Sequence, residues 1–278
     1  MNPRSLILEM TRRFRAAGIP DPEFDSAALL ASLCGRNPLS LRLDMETEID
    51  QETEGQYRSL CARRIRREPL QYITGESRFC GYSFAVTPSV LIPRPETELL
   101  CEWAVEKIPV DASPRILDLC CGSGCIGITL KLRIPSSAVY MSDLSSAAAD
   151  VARRNAERLS ADVSVGTGDL FENIRDRNFD LIISNPPYIP ENECSLLQEE
   201  VKKEPLTALD GGNDGLDFYR RICREAPDYL RRGGILMFEL GDGQHSAVGK
   251  MMEESGFQSV EIRKDFRQIS RMISGLKC

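Results

Sequence analysis

A chain of 278 residues, 42% hydrophobic and with a formal net charge of −7, can build one large domain and a small one, and it lacks the general cationic field of a protein that lives on nucleic-acid backbones. Met1 to Ser5 carries no signal-peptide core, and no apolar run approaches the roughly 20 residues of a membrane span, so a cytoplasmic protein with no membrane partner is expected. Ten cysteines without a Cys-x-x-Cys pair suit a reducing compartment. Cys120, Cys121 and Cys125 cluster but lack zinc spacing, and His245 is the only histidine, so they read as small packing residues and no metal centre is expected. The lone histidine also argues against His-assisted nucleophilic catalysis.

In chain order, residues 1 to about 70 read as a small all-α domain. Leu6, Met10 and Phe14 recur at i, i+4, and Gly18 closes that helix before Pro20-Asp21-Pro22. A second helix is expected from about Pro22 to Leu33, with Phe24, Ala27, Ala28 and Ala31 on one apolar face and Gly35 after it. A third, between about Asp50 and Arg67, carries the stripe Tyr57, Leu60, Cys61 and Ile65. Its other face bears Arg58, Arg63, Arg64, Arg66 and Arg67, which reads as a solvated face, with docking of an acidic or RNA-containing partner as the alternative.

Residues 71–94 form a connector in which Arg78 to Phe84 makes two short strands turning at Gly81. Pro95 suits the first position of a helix whose first turn holds Glu96 and Glu98, while the stiff Pro93-Arg94-Pro95 loop is placed to line a site. Within a domain over 95–278, strands and helices alternate from Pro114 onward as in a doubly wound α/β sheet. Seven strands are predicted near 115–118, 138–143, 163–167, 180–184, 234–239, 258–263 and 270–275. Helices are expected near 124–132, 145–159, 215–230 and 244–255.

The first of those strands runs into Cys120-Cys121-Gly122-Ser123-Gly124, and Gly122, Gly124 and Gly127 satisfy G-x-G-x-x-G. A dinucleotide enzyme is one reading. Asp118, however, places a carboxylate where a pyrophosphate would sit, and no hydride-transfer partner is evident. A cofactor carrying an ammonium and a sulfonium fits better: S-adenosylmethionine. Asp143, ending the second strand, would take the ribose hydroxyls, with capping of the next helix as its structural alternative. Asp169 and Leu170 would border the adenine, or simply form a turn.

The fourth strand ends abruptly in Asn185-Pro186-Pro187-Tyr188. Two prolines fix φ and remove two donors, which holds Asn185 rigidly at a carboxyl strand end. The side-chain oxygen of Asn185 and the carbonyl of Pro186 can each accept one N–H of a planar NH2 group, while the Tyr188 ring packs on its flat face.

Together, Asp118 to Gly124, Asp143, Gly168-Asp169 and Asn185-Pro186-Pro187-Tyr188 resemble class I S-adenosylmethionine-dependent methyltransferases that modify planar nitrogens. Phe79-Cys80-Gly81, Ile92 to Glu98 and Glu204 to Leu216 narrow the likeness: the whole chain resembles the peptide chain release factor N5-glutamine methyltransferases. The resemblance implies a Rossmann-like, mostly parallel seven-stranded domain over 95–278 and a helical substrate-recognition domain over 1–70. It implies as substrate the glutamine of the Gly-Gly-Gln loop in class 1 release factors, methylated on its amide nitrogen and leaving S-adenosylhomocysteine. It further implies that Cys120, Cys121, Gly122, Ser123 and Gly124 form the cofactor loop, with Asp143 at the ribose, Leu170 by the adenine, and Asn185, Pro186, Pro187 and Tyr188 gripping the glutamine amide. Cys120 stands where the family usually has glycine, and Leu170 where an aromatic is common. If position 120 needs positive φ, the cysteine is strained.

The expected chemistry is in-line attack of the amide nitrogen on the methyl group, with orientation as the main catalytic term and no dedicated base. One alternative keeps the fold and places a flipped adenine of DNA or RNA in the same grip, against which the acidic charge stands. Another is a non-catalytic module that recruits a ribosomal or release-factor partner. A monomer with no stable nucleic-acid partner is expected.

Overall fold

Helices α1 (Pro3–Ala16), α2 (Pro22–Cys34), α3 (Pro38–Leu43) and α4 (Gln51–Ile65) each begin at a capping side chain: Asn2, Asp21, Asn37 and Asp50 accept backbone N–H groups that the first turn would leave unpaired. Three of the four place proline first, where its missing N–H costs nothing. α5 (Leu70–Thr74) follows and ends at Gly75 in the left-handed region. The computed structural model describes residues 1–109 and 112–278, and these divide into two compact units, Met1–Glu76 with Gln198–Lys203 and Ser77–Leu197 with Glu204–Cys278.

The helical unit packs Leu6, Met10, Phe14, Leu29, Leu30 and Tyr57 into one core. Two expectations fail here. Phe24 is 53% exposed, while its neighbours Asp25 and Ser26 are buried. Beside its buried alanines and leucines the inward face of α2 carries a polar seam that a hydrophobic pattern cannot register: Ser26 bonds the Thr11 hydroxyl at 2.7 Å and its carbonyl accepts from the Tyr57 hydroxyl at 3.0 Å. Nor is the arginine face of α4 mainly solvated. Arg64 is buried and pairs with Asp25 at 2.6 Å and Glu200 at 2.8 Å, Arg67 pairs with Glu200 at 2.6 Å, and Arg58 bridges Glu9 and Glu54. These side chains hold their own unit together and leave little of the charge for a partner.

In the second unit, β1 (Glu76–Phe79) and β2 (Tyr82–Ala85) pair as the expected hairpin. α6 (Pro95–Lys107) starts at Pro95. The sheet then alternates with helices: β3 (Arg115–Leu119), α7 (Cys125–Arg133), β4 (Ala138–Asp143), α8 (Ser146–Arg158), β5 (Val163–Thr167), β6 (Phe179–Ser184), α9 (Glu191–Cys194), α10 (Asp217–Tyr229), β7 (Leu230–Glu239), α11 (His245–Glu254), β8 (Phe257–Lys264) and β9 (Ser270–Lys277). Strand order is β5-β4-β3-β6-β7-β9-β8, parallel except for β9. The protein is thus a Rossmann-like, mostly parallel α/β sheet preceded by helices.

Alternate residues of the central strands feed two cores. Ile116, Leu181 and Ile183 pack with Leu100 and Trp103 of α6 and Ile126 and Leu130 of α7. Leu117, Leu119 and Ile182 face Tyr219 and Ile222 of α10 and Val248 and Met252 of α11. Burial on both faces explains why these strands read as continuous apolar runs. The chain leaves β3 toward β4 and β5 on one side and returns to β6 and β7 on the other, so the topological switch lies between β3 and β6. Ligands of such sheets bind outside the carboxyl ends of the strands at that switch.

Candidate active site

Register decides what meets at the switch. Leu119 lies opposite Ser142 on one side and Ser184 on the other, and Ser184 lies opposite Phe238. The next residues, Asp143, Cys120, Asn185 and Glu239, therefore form one row across β4, β3, β6 and β7. Beyond that row opens a cavity of about 260 Å³. Its wall includes Cys120, Cys121, Gly122, Ser123, Asp143, Asn185 and Pro187, as expected, together with Pro93, Arg94 and Thr97 of the stiff loop and α6.

The loop after β3 turns through left-handed backbone at Cys120 (φ 58°), Gly122 (φ 54°) and Gly124 (φ 79°). Cys120 thus occupies the region that a β-carbon disfavours, the strain its departure from glycine predicts. Gly127 is required for a different reason: a β-carbon there would lie 2.5 Å from the Met141 sulfur, so α7 could not approach β4 as closely as it does.

Asp143 is held by two backbone donors, Gly122 N–H at 2.8 Å and Ser145 N–H at 2.9 Å, and burial raises its pKa. It both tethers the loop and faces the cavity, so the capping and binding roles are not exclusive. Ser145 caps α8 itself, accepting from Ala148 N–H at 3.2 Å. Asp118 is placed differently from expectation. It points to the α7 side of β3, is fully buried beneath the loop, and accepts from Gly127 N–H at 2.9 Å. It does not wall the cavity, and burial pushes its pKa up to about 8.

Asp169 and Leu170 are not brought to the cavity. Asp169 pairs with Arg221 at 2.8 Å, and Leu170, left-handed at φ 52°, buries its side chain beside Phe171 and Leu119. Leu144, 59% exposed directly after Asp143, and Phe218 supply apolar wall instead. A leucine directly after a strand-ending acid was the sequence signal for the first of these.

The Asn185 loop is braced from three sides. Ile189 N–H donates to Leu209 O at 2.9 Å and Gly211 N–H to Ile189 O at 2.8 Å. A β-carbon at Gly211 would lie 2.8 Å from the Tyr188 α-carbon, and one at Gly215 would lie 2.3 Å from its carbonyl oxygen, which is why the Asp210 to Leu216 stretch is glycine-rich. Gln244 ties the same turn, donating to the carbonyls of Tyr188 at 2.9 Å and Gly215 at 3.2 Å. Glu204 anchors the facing wall through Arg94 at 2.5 Å and Ile92 N–H at 3.0 Å.

Within this brace Pro186 is buried and Tyr188 is half-buried. The Tyr188 hydroxyl reaches Glu239 at 3.4 Å, and burial pushes the phenol's pKa up. The Asn185 amide donates to the Thr97 hydroxyl at 3.2 Å, while its buried side-chain oxygen has no protein partner among the described residues. Thr97 and Glu239 escaped the sequence reading, although an acid closing the apolar run Ile235 to Phe238 repeats the pattern of Asp118 and Asp143. Cys121 and Cys125 lie in the core against α6, as small packing residues do.

A switch-point cavity with a glycine loop, a strand-ending acid and a proline-braced asparagine defines a Rossmann-like methyltransferase. The family pattern of the methyltransferase small domain matches residues 97–213, and that of the PrmC N-terminal domain matches 5–75. The release factor glutamine methyltransferase of Geobacter sulfurreducens is 44% identical over 97% of this chain and 95% of its own length. That of Chlorobaculum tepidum is 41% identical over 95% and 92%. The chain belongs to the release factor glutamine methyltransferase family. Among solved structures, a Pyrococcus furiosus methyltransferase shares the fold at TM-score 0.55 and 19% identity, covering 81% of this chain and 98% of its own. A Thermus thermophilus 16S rRNA N2 methyltransferase, solved with AdoMet and guanosine, does so at TM-score 0.55 and 19% identity over 73% of this chain and 50% of its own.

Proposed function

We infer that the protein methylates the side-chain amide nitrogen of the Gly-Gly-Gln glutamine in class 1 translation release factors. The observation that carries this is the buried side-chain oxygen of the cavity-lining Asn185, which has no partner among the described residues and is free to accept one N–H of a primary amide. The Pro186 carbonyl takes the other N–H and the Tyr188 ring supports the amide plane. An amide nitrogen is a weak nucleophile because its lone pair is delocalised; accepting both N–H groups returns density to nitrogen and fixes its direction.

The methyl donor is S-adenosylmethionine, which supplies an electrophilic methyl group on a sulfonium sulfur when bound. The donor set fits it: Asp143 for a ribose diol, Leu144 and Phe218 for an adenine face, and backbone of Cys120 to Gly124 for the amino-acid end. Asp143 would repel a pyrophosphate. Family membership at 44% identity across both units favours the release-factor amide over a nucleic-acid base, and the helical unit is the substrate-recognition part. Among the described residues no helix is long and apolar enough to cross a membrane.

The test is transfer of a labelled methyl group from S-adenosylmethionine to unmodified release factor. Label in the intact factor and none in a factor whose Gly-Gly-Gln glutamine is replaced by alanine is the expected result. Label in DNA or RNA and in neither factor would move the acceptor to adenine.

A further inference from the structure

The geometry points to Thr97 and Glu239 as positioning residues that fix which end of the Asn185 amide faces the substrate. Three elements meet here: Thr97 on α6, Asn185 after β6 and Glu239 at the end of β7. Thr97 and Glu239 are both 2% exposed, so water does not compete for their hydrogen bonds. The Thr97 hydroxyl donates to the Glu239 carboxylate at 2.5 Å. A hydroxyl has one proton, and once it is given to a carboxylate only acceptor capacity remains. Toward Asn185 it can therefore only accept, from the amide nitrogen at 3.2 Å. The Asn185 oxygen is left by elimination without a protein partner among the described residues, and this is the acceptor that the proposed amide substrate needs.

The relay has a second state. With Glu239 protonated, its carboxyl donates to Thr97, the Thr97 proton turns toward Asn185, and the amide is satisfied the other way round, presenting NH2 to an incoming NH2. Donor then faces donor. The groups around Glu239 are Glu96 and Thr97 from α6, Cys125 from α7, Tyr188 from the braced loop, Tyr219 from α10 and Arg271 from β9. Burial first, and then Glu96, push its pKa up to about 7 against the Thr97 and Tyr188 hydrogen bonds and Arg271. Activity should accordingly fall as pH drops through about 7.

This inference rests on the amide-acceptor reading, and one experiment separates the two. Single-turnover methyl transfer to release factor is measured from pH 5.5 to 9 for the unaltered protein, Thr97→Val, Thr97→Ser and Glu239→Gln, with S-adenosylmethionine Kd and thermal midpoint measured for each. Thr97→Val is expected to lower the rate about 10- to 100-fold, the cost of an unmet buried polar contact, with Kd within about threefold. Thr97→Ser, which keeps the hydroxyl, should recover to within about threefold of the unaltered rate. Glu239→Gln should lose the acidic limb of the pH profile. An unchanged rate in folded Thr97→Val, or an acidic limb that persists in Glu239→Gln, would overturn the inference while leaving the function standing. No transfer by the unaltered protein at any pH would refute the function and the inference with it.

Discussion

In the helical unit the buried Arg64 guanidinium meets Asp25 at 2.6 Å and Glu200 at 2.8 Å, whereas the buried Asp118 of the sheet unit meets a backbone N–H and Glu239 meets hydroxyls. Among the described residues neither acid has an ion-pair partner. A buried charge paired with its opposite holds two helices in register and has no capacity left for anything else. Burial raises the pKa of Asp25 even beside Arg64, and of Asp118 to about 8 and Glu239 to about 7; the two acids without a cation have no fixed charge to hold them ionised and remain responsive to protons and ligands. The first arrangement is structural; in the second, Glu239 adjoins the cavity's Asn185 through Thr97 and Asp118 lies beneath the glycine loop.

The strongest way to break this contrast is at Arg64. Replacing it by alanine strands Asp25, leaves Glu200 to Arg67 alone, and should cost the helical unit about 3–5 kcal/mol, whereas Arg64→Met, which refills the volume, combined with Asp25→Leu should restore much of it. Urea denaturation of the full chain reads both, and equal losses in the single and double variants would deny the pairing any role.

In the sheet unit the test is pH. Asp118 has a folded pKa near 8, above its ordinary 3.8, so its contribution is fully favourable below about pH 4 and is lost as pH rises through about 8. The urea midpoint should fall across that window, and Asp118→Asn, whose oxygen still accepts from Gly127, should flatten the fall. A slope unaltered by that substitution would show that Asp118 does not carry it.

The smallest effect is expected at Cys120. Relieving its left-handed backbone with glycine should stabilise the unit by about 1 kcal/mol, raising the thermal midpoint by about 2–4 °C. A lower midpoint in Cys120→Gly would mean that thiol packing outweighs the strain.

Which parts were legible follows from the same contrast. The seven strands and the helices between them were readable because burial on both faces leaves long apolar runs broken by glycine and acid. Cys120 to Ser123, Asp143, Asn185 and Pro187 were readable as residues of the cavity wall because loops at strand ends carry unusual residue types. Arg64 was misread because a paired, buried arginine has the same helical spacing as a solvated one. Phe24 was misread because the partners of Asp25 and Ser26 lie 39 and 15 residues away. Thr97 and Glu239 were missed for a related reason: their roles exist only through a contact spanning 142 residues, which no local pattern encodes. Asp169 and Leu170 sit at the end of the third strand as expected, but an ion pair and a buried side chain turn them from the cavity.

The central claim is that the Asn185 oxygen, held by its neighbours, accepts the substrate amide. Single-turnover methyl transfer by Asn185→Ala, read beside its thermal midpoint, addresses it most directly. A loss of about 10²- to 10³-fold in rate with an unchanged midpoint is predicted, comparable to the removal of one preorganised hydrogen-bonding group from an active site. Near-normal transfer by a folded Asn185→Ala protein would contradict the account.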